Sequence, residues 1–278
     1  MIRCCNKADI KSNKVATRGW DKRIVISMRE YFESFWIKNI SRNNMLLKSE
    51  AERRLFEYIK QFQSGDFSAK KEFVELFLYT DNWDCFVWGM RVFMAICNHD
   101  DFALLYDFLG ECNDKQIEVF LAFVQESLSI QSIPVLLALY EDWEDSYIGG
   151  SIARNIREML GENYNEDYHY SISDLAAVFD SFAKNNNLSL YYYQGQVLFM
   201  GNLTKELIST AVYCKSIEKP YFSDQIPSIL SNSIGEECPV TYNTEINYET
   251  IDKLYKYVND ISALGHERGY KYFYNNRI

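Results

Sequence analysis

The residue types that could do chemistry are few, and their spacing matches no known catalytic pattern. Three histidines (His99, His169, His266) and seven cysteines (Cys4, Cys5, Cys85, Cys97, Cys112, Cys214, Cys238) are spread over 278 residues. Cys97, His99, Asp100 and Cys112 offer zinc-ligand atom types, but structural zinc sites favour close pairs such as CxxC, and none occurs. His99-Asp100-Asp101 has the form of a metal-hydrolase fragment, which needs further histidines; His169 and His266 are distant in sequence. The attraction between Asp and a helix N-terminus explains Asp100 and Asp101 without a metal. Nucleophilic catalysis needs a base near Ser or Cys, and there is neither a GxSxG nor a cysteine-protease signature. Phosphate-cradling GxGxxG and GxxxxGKS/T loops are missing too. Paired carboxylates could serve glycosidase chemistry only within one cleft, which spacing alone does not establish. The expectation is a chain without catalytic residues, metal or cofactor.

The carboxylates themselves are the stronger signal. The net charge is −10, but its distribution is uneven. Residues 1–80 carry 16 Lys/Arg against 10 Asp/Glu, residues 81–180 carry 4 against 19, and residues 181–278 carry 9 against 10. A middle third at −15 repels phosphate backbones and attracts cations, which argues against direct nucleic-acid binding and for a basic partner.

These acids sit between periodic helical segments. Ser49-Glu-Ala-Glu52 has the form of a capping box, followed by Leu55, Ile59 and Phe62 at helical spacing and by Gly65. A partner helix is expected over 68–79. Helices expected at 83–97, 114–128 and 146–160 superpose at a period of 32: Trp88 with Phe120 and Ile152, Val92 with Val124 and Ile156, Ile96 with Leu128 and Leu160. Leu104-Leu105 and Leu136-Leu137 align in the shorter partner helices 100–109 and 132–142. Two helices per repeating unit indicate an α-solenoid, and the pattern over residues 50–160 is similar to HEAT-type repeats. The unit is short, and the Asp and Arg usual in HEAT units are not evident.

In such an array the inter-unit turns stack along one edge. Those turns place Asp81, Asp84, Glu111, Asp114, Glu141, Asp142, Glu144 and Asp145 together with Trp83 and Trp143. Acidic helix capping accounts for about half of these acids; the excess, with two Trp, fits a binding edge. A solvated edge with the Trp packed inward is the competing reading.

The expected fold is mostly α: an N-terminal extension (1–48) with one helix over 28–40, a helical-repeat array (49–161), and a small α+β unit (162–278). Residues 162–170 read as a linker, and a helix capped by Ser173 runs through Phe182. A β-hairpin over 188–200 turns at Gln194-Gly195, with Tyr191 and Tyr193 on one face and Tyr192 on the other, a second candidate surface. A helix follows over 204–217, and Pro220, Pro227 and Pro239 then break the chain. Asn247 caps a last helix through Leu264, with Ile251, Leu254, Val258 and Ile261 inward and Gly265 beyond. The apolar run at residues 24–26 is too short for a signal-peptide core, and Cys85 to Cys97, interrupted by Arg91, is too short to span a bilayer. Without a secretory signal the sequons at Asn39, Asn187 and Asn202 carry no weight, and reduced thiols fit a cytoplasmic protein.

Acidic helical repeats, a short α+β tail and no catalytic residues together resemble bacterial immunity proteins of polymorphic-toxin and contact-dependent growth inhibition systems. The resemblance implies a binding protein that occludes a cognate toxin, often a cationic nuclease, and it transfers no individual residue. A generic scaffold or adaptor, and an enzyme with its site between the array and the C-terminal unit, remain open alternatives.

Overall fold

Ser49 begins the first described helix with the reciprocal cap written in its sequence. Its hydroxyl accepts from the Glu52 amide at 3.1 Å, and the Glu52 carboxylate accepts from the Ser49 amide at 3.0 Å. The structure is a computed structural model that describes residues 49–278, so the helix expected over 28–40 lies outside the described residues. In chain order the first half contains α1 (Glu50–Gln63), α2 (Lys70–Leu78), α3 (Trp83–Ile96), a 3-10 segment (Asp100–Leu105) running into α4 (Tyr106–Leu109), α5 (Asp114–Phe123), α6 (Ile133–Trp143) and α7 (Tyr147–Met159). Side-chain caps start the long helices: Asn82 for α3, Asn113 for α5 and Ser146 for α7 each accept from an amide three residues on.

Helices α1, α3, α5 and α7 pack in a row in chain order. Two bonds fix the direction of the last pair. Tyr147, at the start of α7, donates to Glu118 in α5 at 2.8 Å, and Gln125, just past α5, donates to Asn155 and Glu158 late in α7 at 2.9 and 2.8 Å. Early residues meet early residues and late meet late, so α5 and α7 run parallel. Asn82 donates to Glu52 at 3.0 Å, which sets the start of α3 beside the start of α1. All nine residues of the three aligned triplets are buried, as are Leu105 and Leu136, whereas Leu104 and Leu137 are half-buried.

The middle unit departs from the expected helix over 114–128. Helix α5 ends at Phe123, a 3-10 turn follows over Val124–Ser127, and Leu128 takes a left-handed φ of 59°. The cause is tertiary. Leaving the helix frees the Leu128 carbonyl to accept from the Tyr192 amide at 2.8 Å and the Ser127 carbonyl to accept from Lys271 at 3.0 Å. Leu128 thereby joins a second apolar cluster, outside the row's own core.

The remaining elements are α8 (Ile172–Asn185), β1 (Tyr192–Tyr193) antiparallel to β2 (Gln196–Val197), α9 (Met200–Ser216), α10 (Gln225–Ile234), α11 (Tyr248–Ala263), and β3 (Tyr272–Phe273) antiparallel to β4 (Asn276–Arg277). Helix α8 is capped by Ser171, two residues before the expected cap, and packs on α6 and α7. Residues 162–170 are pinned: the Tyr140 hydroxyl donates to the Tyr170 carbonyl, and Arg154 and Arg157 lie over the rings of Tyr164 and Tyr170. Pro227 does not break the chain. It occupies the first turn of α10, where its missing N–H would have no helical partner in any case. Residues 226–234 of that helix are all buried. The hairpin strands alternate as expected: Tyr192 enters the row's core, whereas Tyr191 and Tyr193 face the second cluster, formed by α9, α10 and α11. The C-terminal hairpin and α10 were not foreseen. The fold is mostly α, with two small hairpins in its C-terminal half.

Candidate functional site

None of the eight turn carboxylates makes a helix-capping bond, because the neutral Asn82, Asn113 and Ser146 make them. Asp84 and Asp114 lie in the first turns of α3 and α5, where the helix dipole favours them. Asp81, Glu111 and Asp145 are exposed in the turns themselves. Glu141 and Asp142 are exposed in the last turn of α6, which holds no basic residue, and Glu144 is its half-buried C-cap. Negative charge at a helix C-terminus is disfavoured by roughly 0.3–1 kcal/mol per group. Local folding thus accounts for Asp84 and Asp114 and not for Glu141 and Asp142.

Acids from neighbouring units act on common groups. Burial, then the charges of Glu52 and Asp84, push the Cys85 thiol up to about 12. Burial, then the hydrogen bond and charge of Glu118 and the charge of Asp114, push the Tyr147 phenol up to about 12. The Tyr140 phenol is raised by burial and then by surrounding charges that include Glu144, Asp145 and Asp174. Glu144 also pairs with exposed His169 at 3.7 Å. Trp83 and Trp143 are half-buried: Trp83 stacks on Phe86 at 5.3 Å, and both pack against the core. The Trp143 carbonyl closes the α6–α7 turn by accepting from the Ser146 hydroxyl at 2.7 Å. A Cβ on Gly149 would lie 2.4 Å from that carbonyl, so glycine lets α7 start this close to the end of α6.

The joint between the row and the C-terminal elements is filled by protein side chains. Lys271 is buried, and its ammonium donates to the carbonyls of Met94 (2.6 Å), Ser127 (3.0 Å) and Cys97 (3.1 Å). Burial lowers its pKa to about 8, against the opposing influence of Cys97. The carboxylate of Glu126, buried and raised by burial, accepts from Ser228 at 2.7 Å and lies 3.7 Å from Arg91. His99 stacks on Tyr191 with ring centres 4.3 Å apart. Its Nε2 lies 3.2 Å from the Ser189 carbonyl and its Nδ1 2.7 Å from the Ser129 hydroxyl. A carbonyl only accepts, so Nε2 carries the proton and Nδ1 accepts from Ser129 in the neutral ring. Lys271 was not singled out from sequence, where it reads as one more residue in a tyrosine-rich tail.

Cys97 and His99 are thus engaged by Lys271, Tyr191 and the two serines. Among the described residues no cluster of three or more His, Cys, Asp or Glu is placed to hold a metal ion. The five described cysteines are free thiols. Among the described residues no helix is long and apolar enough to cross a membrane. No curated protein matches the chain, and no solved structure does. A family model described as Immunity protein 47 matches residues 34–278, most of the chain, and the protein belongs to that family of bacterial toxin-system immunity proteins.

Proposed function

We propose that the protein neutralises its cognate toxin by laying the acidic edge of its helical row over a basic surface of the toxin. The observation that carries this reading is the position of Glu141 and Asp142. They stand at a helix C-terminus where the fold is opposed to negative charge, beside Glu144 and Asp145 in the same turn. Acids kept against local energetics point to a partner. A nuclease toxin fits best, since it needs a basic groove for phosphate that a carboxylate strip can fill. Asp81, Asp84, Glu111 and Asp114 extend the edge along a HEAT-like stack, and half-buried Trp83 and Trp143 supply rigid apolar anchors. Inhibition is by occlusion without catalysis, in the cytoplasm of a cell protected from contact-dependent growth inhibition. Pull-down with the product of the adjacent upstream gene identifies the partner. Lysine at residues 141, 142, 144 and 145 should then abolish capture, whereas undiminished capture would refute the edge as the contact.

A further inference from the structure

The C-terminal elements meet the row at the edge opposite its acidic turns. Lys271 is bonded to the carbonyls of Met94, Cys97 and Ser127, where α3 and α5 finish, and Gly195 donates to the carbonyl of Met159, the last residue of α7. Helix α10 lies against the row, through Ser228 on Glu126 and Arg91, and α9 packs on α10 and on α11. The ammonium of Lys215, near the end of α9, lies 3.7 Å from the ring centre of Tyr248, the first residue of α11, so these two helices run antiparallel. We propose that the outward side of the α9–α11 pair is a self-association surface, covered by the same face of a second copy of the chain in a two-fold dimer.

Helical spacing identifies what lines the seam between the two helices. Ile208 and Val212 share the Lys215 flank of α9, and Ile251 and Tyr255 share the Tyr248 flank of α11. Leu207, Cys214, Leu254 and Ile261 point the other way, into the second apolar cluster. The seam is not covered: Val212 is 46% exposed, Tyr255 48% and Tyr248 78%, with Ile208 and Ile251 half-buried between them. Apolar and aromatic groups left in water along two packed helices mark a contact surface. Charge selects its occupant. A basic partner is drawn to the row, where residues 81–180 carry 4 Lys/Arg against 19 Asp/Glu, whereas α9 and α11 together carry four Lys against four Asp/Glu and attract neither sign. A second copy, itself at −10, is repelled by the row and meets a neutral face here. Both signs on each helix also suit a two-fold contact, in which a lysine of one copy faces a carboxylate of the other. The 13 residues of α7 alone set the acidic turns about 20 Å from the edge where the C-terminal elements dock. Two copies joined through the seam therefore keep their acidic turns at least several Debye lengths apart at about 0.1 M salt, each open to a toxin.

Sedimentation equilibrium of the full chain across the micromolar range tests the dimer. The wild-type mass should rise from one chain to two with concentration. The double variant Val212→Glu with Tyr255→Glu should dissociate at least tenfold more readily, and Tyr248→Glu should act in the same direction. Tyr79→Glu, as exposed as Tyr248 but beside the acidic turns, should leave the dimer unchanged. Added salt should hold or tighten the dimer, because it screens repulsion between two acidic copies, whereas it slows association at the acidic edge. A one-chain mass at the highest concentration would overturn the proposal, as would a dimer that Tyr79→Glu weakens as much as the seam variants do. Seam variants that lose helicity in circular dichroism would place these side chains inside the fold and overturn it equally. None of these outcomes alters the reading of the acidic edge, which toxin binding tests separately.

Discussion

The phenol of Tyr147 donates a 2.8 Å hydrogen bond to the carboxylate of Glu118, joining the start of α7 to the second turn of α5. Neither residue is a core position, yet the bond records the relation on which the functional reading depends. Neighbouring units meet with matching ends, so the turn before α5 and the turn before α7 come to the same side. Asp114 is close enough to contribute to the raised Tyr147 pKa, which brings an acid of one turn to the first residue of the next helix.

Val124 is fully buried at the end of α5, whereas its neighbour Ala122 is exposed. Val124→Asp should cost several kcal/mol, enough to abolish cooperative melting of a marginally stable domain. Ala122→Asp, exposed in the last turn of α5, should cost only about 1 kcal/mol, from lower helix propensity and the helix dipole. Thermal melts of the two variants check the assignment, and equal melting would place Val124 outside the core.

Much of the row was legible because its signals are local. Ser49 and Asn247 announce their helices by cap chemistry, and the 32-residue apolar period reports which faces are buried. What escaped reading depends on distant contacts. The end of α5 at Phe123 is set by donors from Tyr192 and Lys271, many residues downstream. Pro227 was read as a breaker because its place in the first turn of α10 has no local marker. The turn acids were legible as charges. Their freedom from capping depended on whether Asn82, Asn113 and Ser146 would take that role, which composition alone does not decide.

Lys271 ties the C-terminal hairpin to α3 through three carbonyls, and Lys271→Met would leave those acceptors without their donor. The loss should be about 1–3 kcal/mol. Its pH dependence has a definite sign. The folded ammonium releases its proton near pH 8 and the unfolded one near 10.5, so this group's contribution to stability rises with pH across that window. Cys85, Cys112 and Cys238 act oppositely above pH 9, since burial raises each thiol to about 12. The informative quantity is therefore the difference between wild type and Lys271→Met in denaturant melts. It should widen from pH 7 to pH 9; a gap independent of pH would mean that Lys271 is not held in this low-pKa site.

Burial also lowers the pKa of His99 below 6.5, so the fold favours its neutral form. Stability from this group is fully present above pH 6.5 and is lost as pH falls. His266 is lowered in the same way and adds to the acid limb. His99→Gln should flatten the fall in melting temperature between about pH 6.5 and 5 without removing it. A variant with an unchanged acid limb would contradict a half-buried His99 held in its neutral form.

On the proposed reading, the α6–α7 turn carries Glu141 and Asp142 for a partner and against the preference of the helix dipole. The most direct measurement compares wild type with the variant carrying Lys at 141, 142, 144 and 145, by melting and by toxin-binding kinetics at two salt concentrations. Removing Glu141 and Asp142 from the C-terminal turn of α6 should raise stability by a few tenths of a kcal/mol per site, which lysines at 144 and 145, beside the N-terminus of α7, should offset, leaving stability about equal. Toxin affinity should fall sharply. The wild-type association rate should also drop as salt rises, because the Debye length shrinks from about 10 Å at 0.1 M to about 3 Å at 1 M. A folded variant that binds the toxin with wild-type affinity and salt dependence would contradict the account.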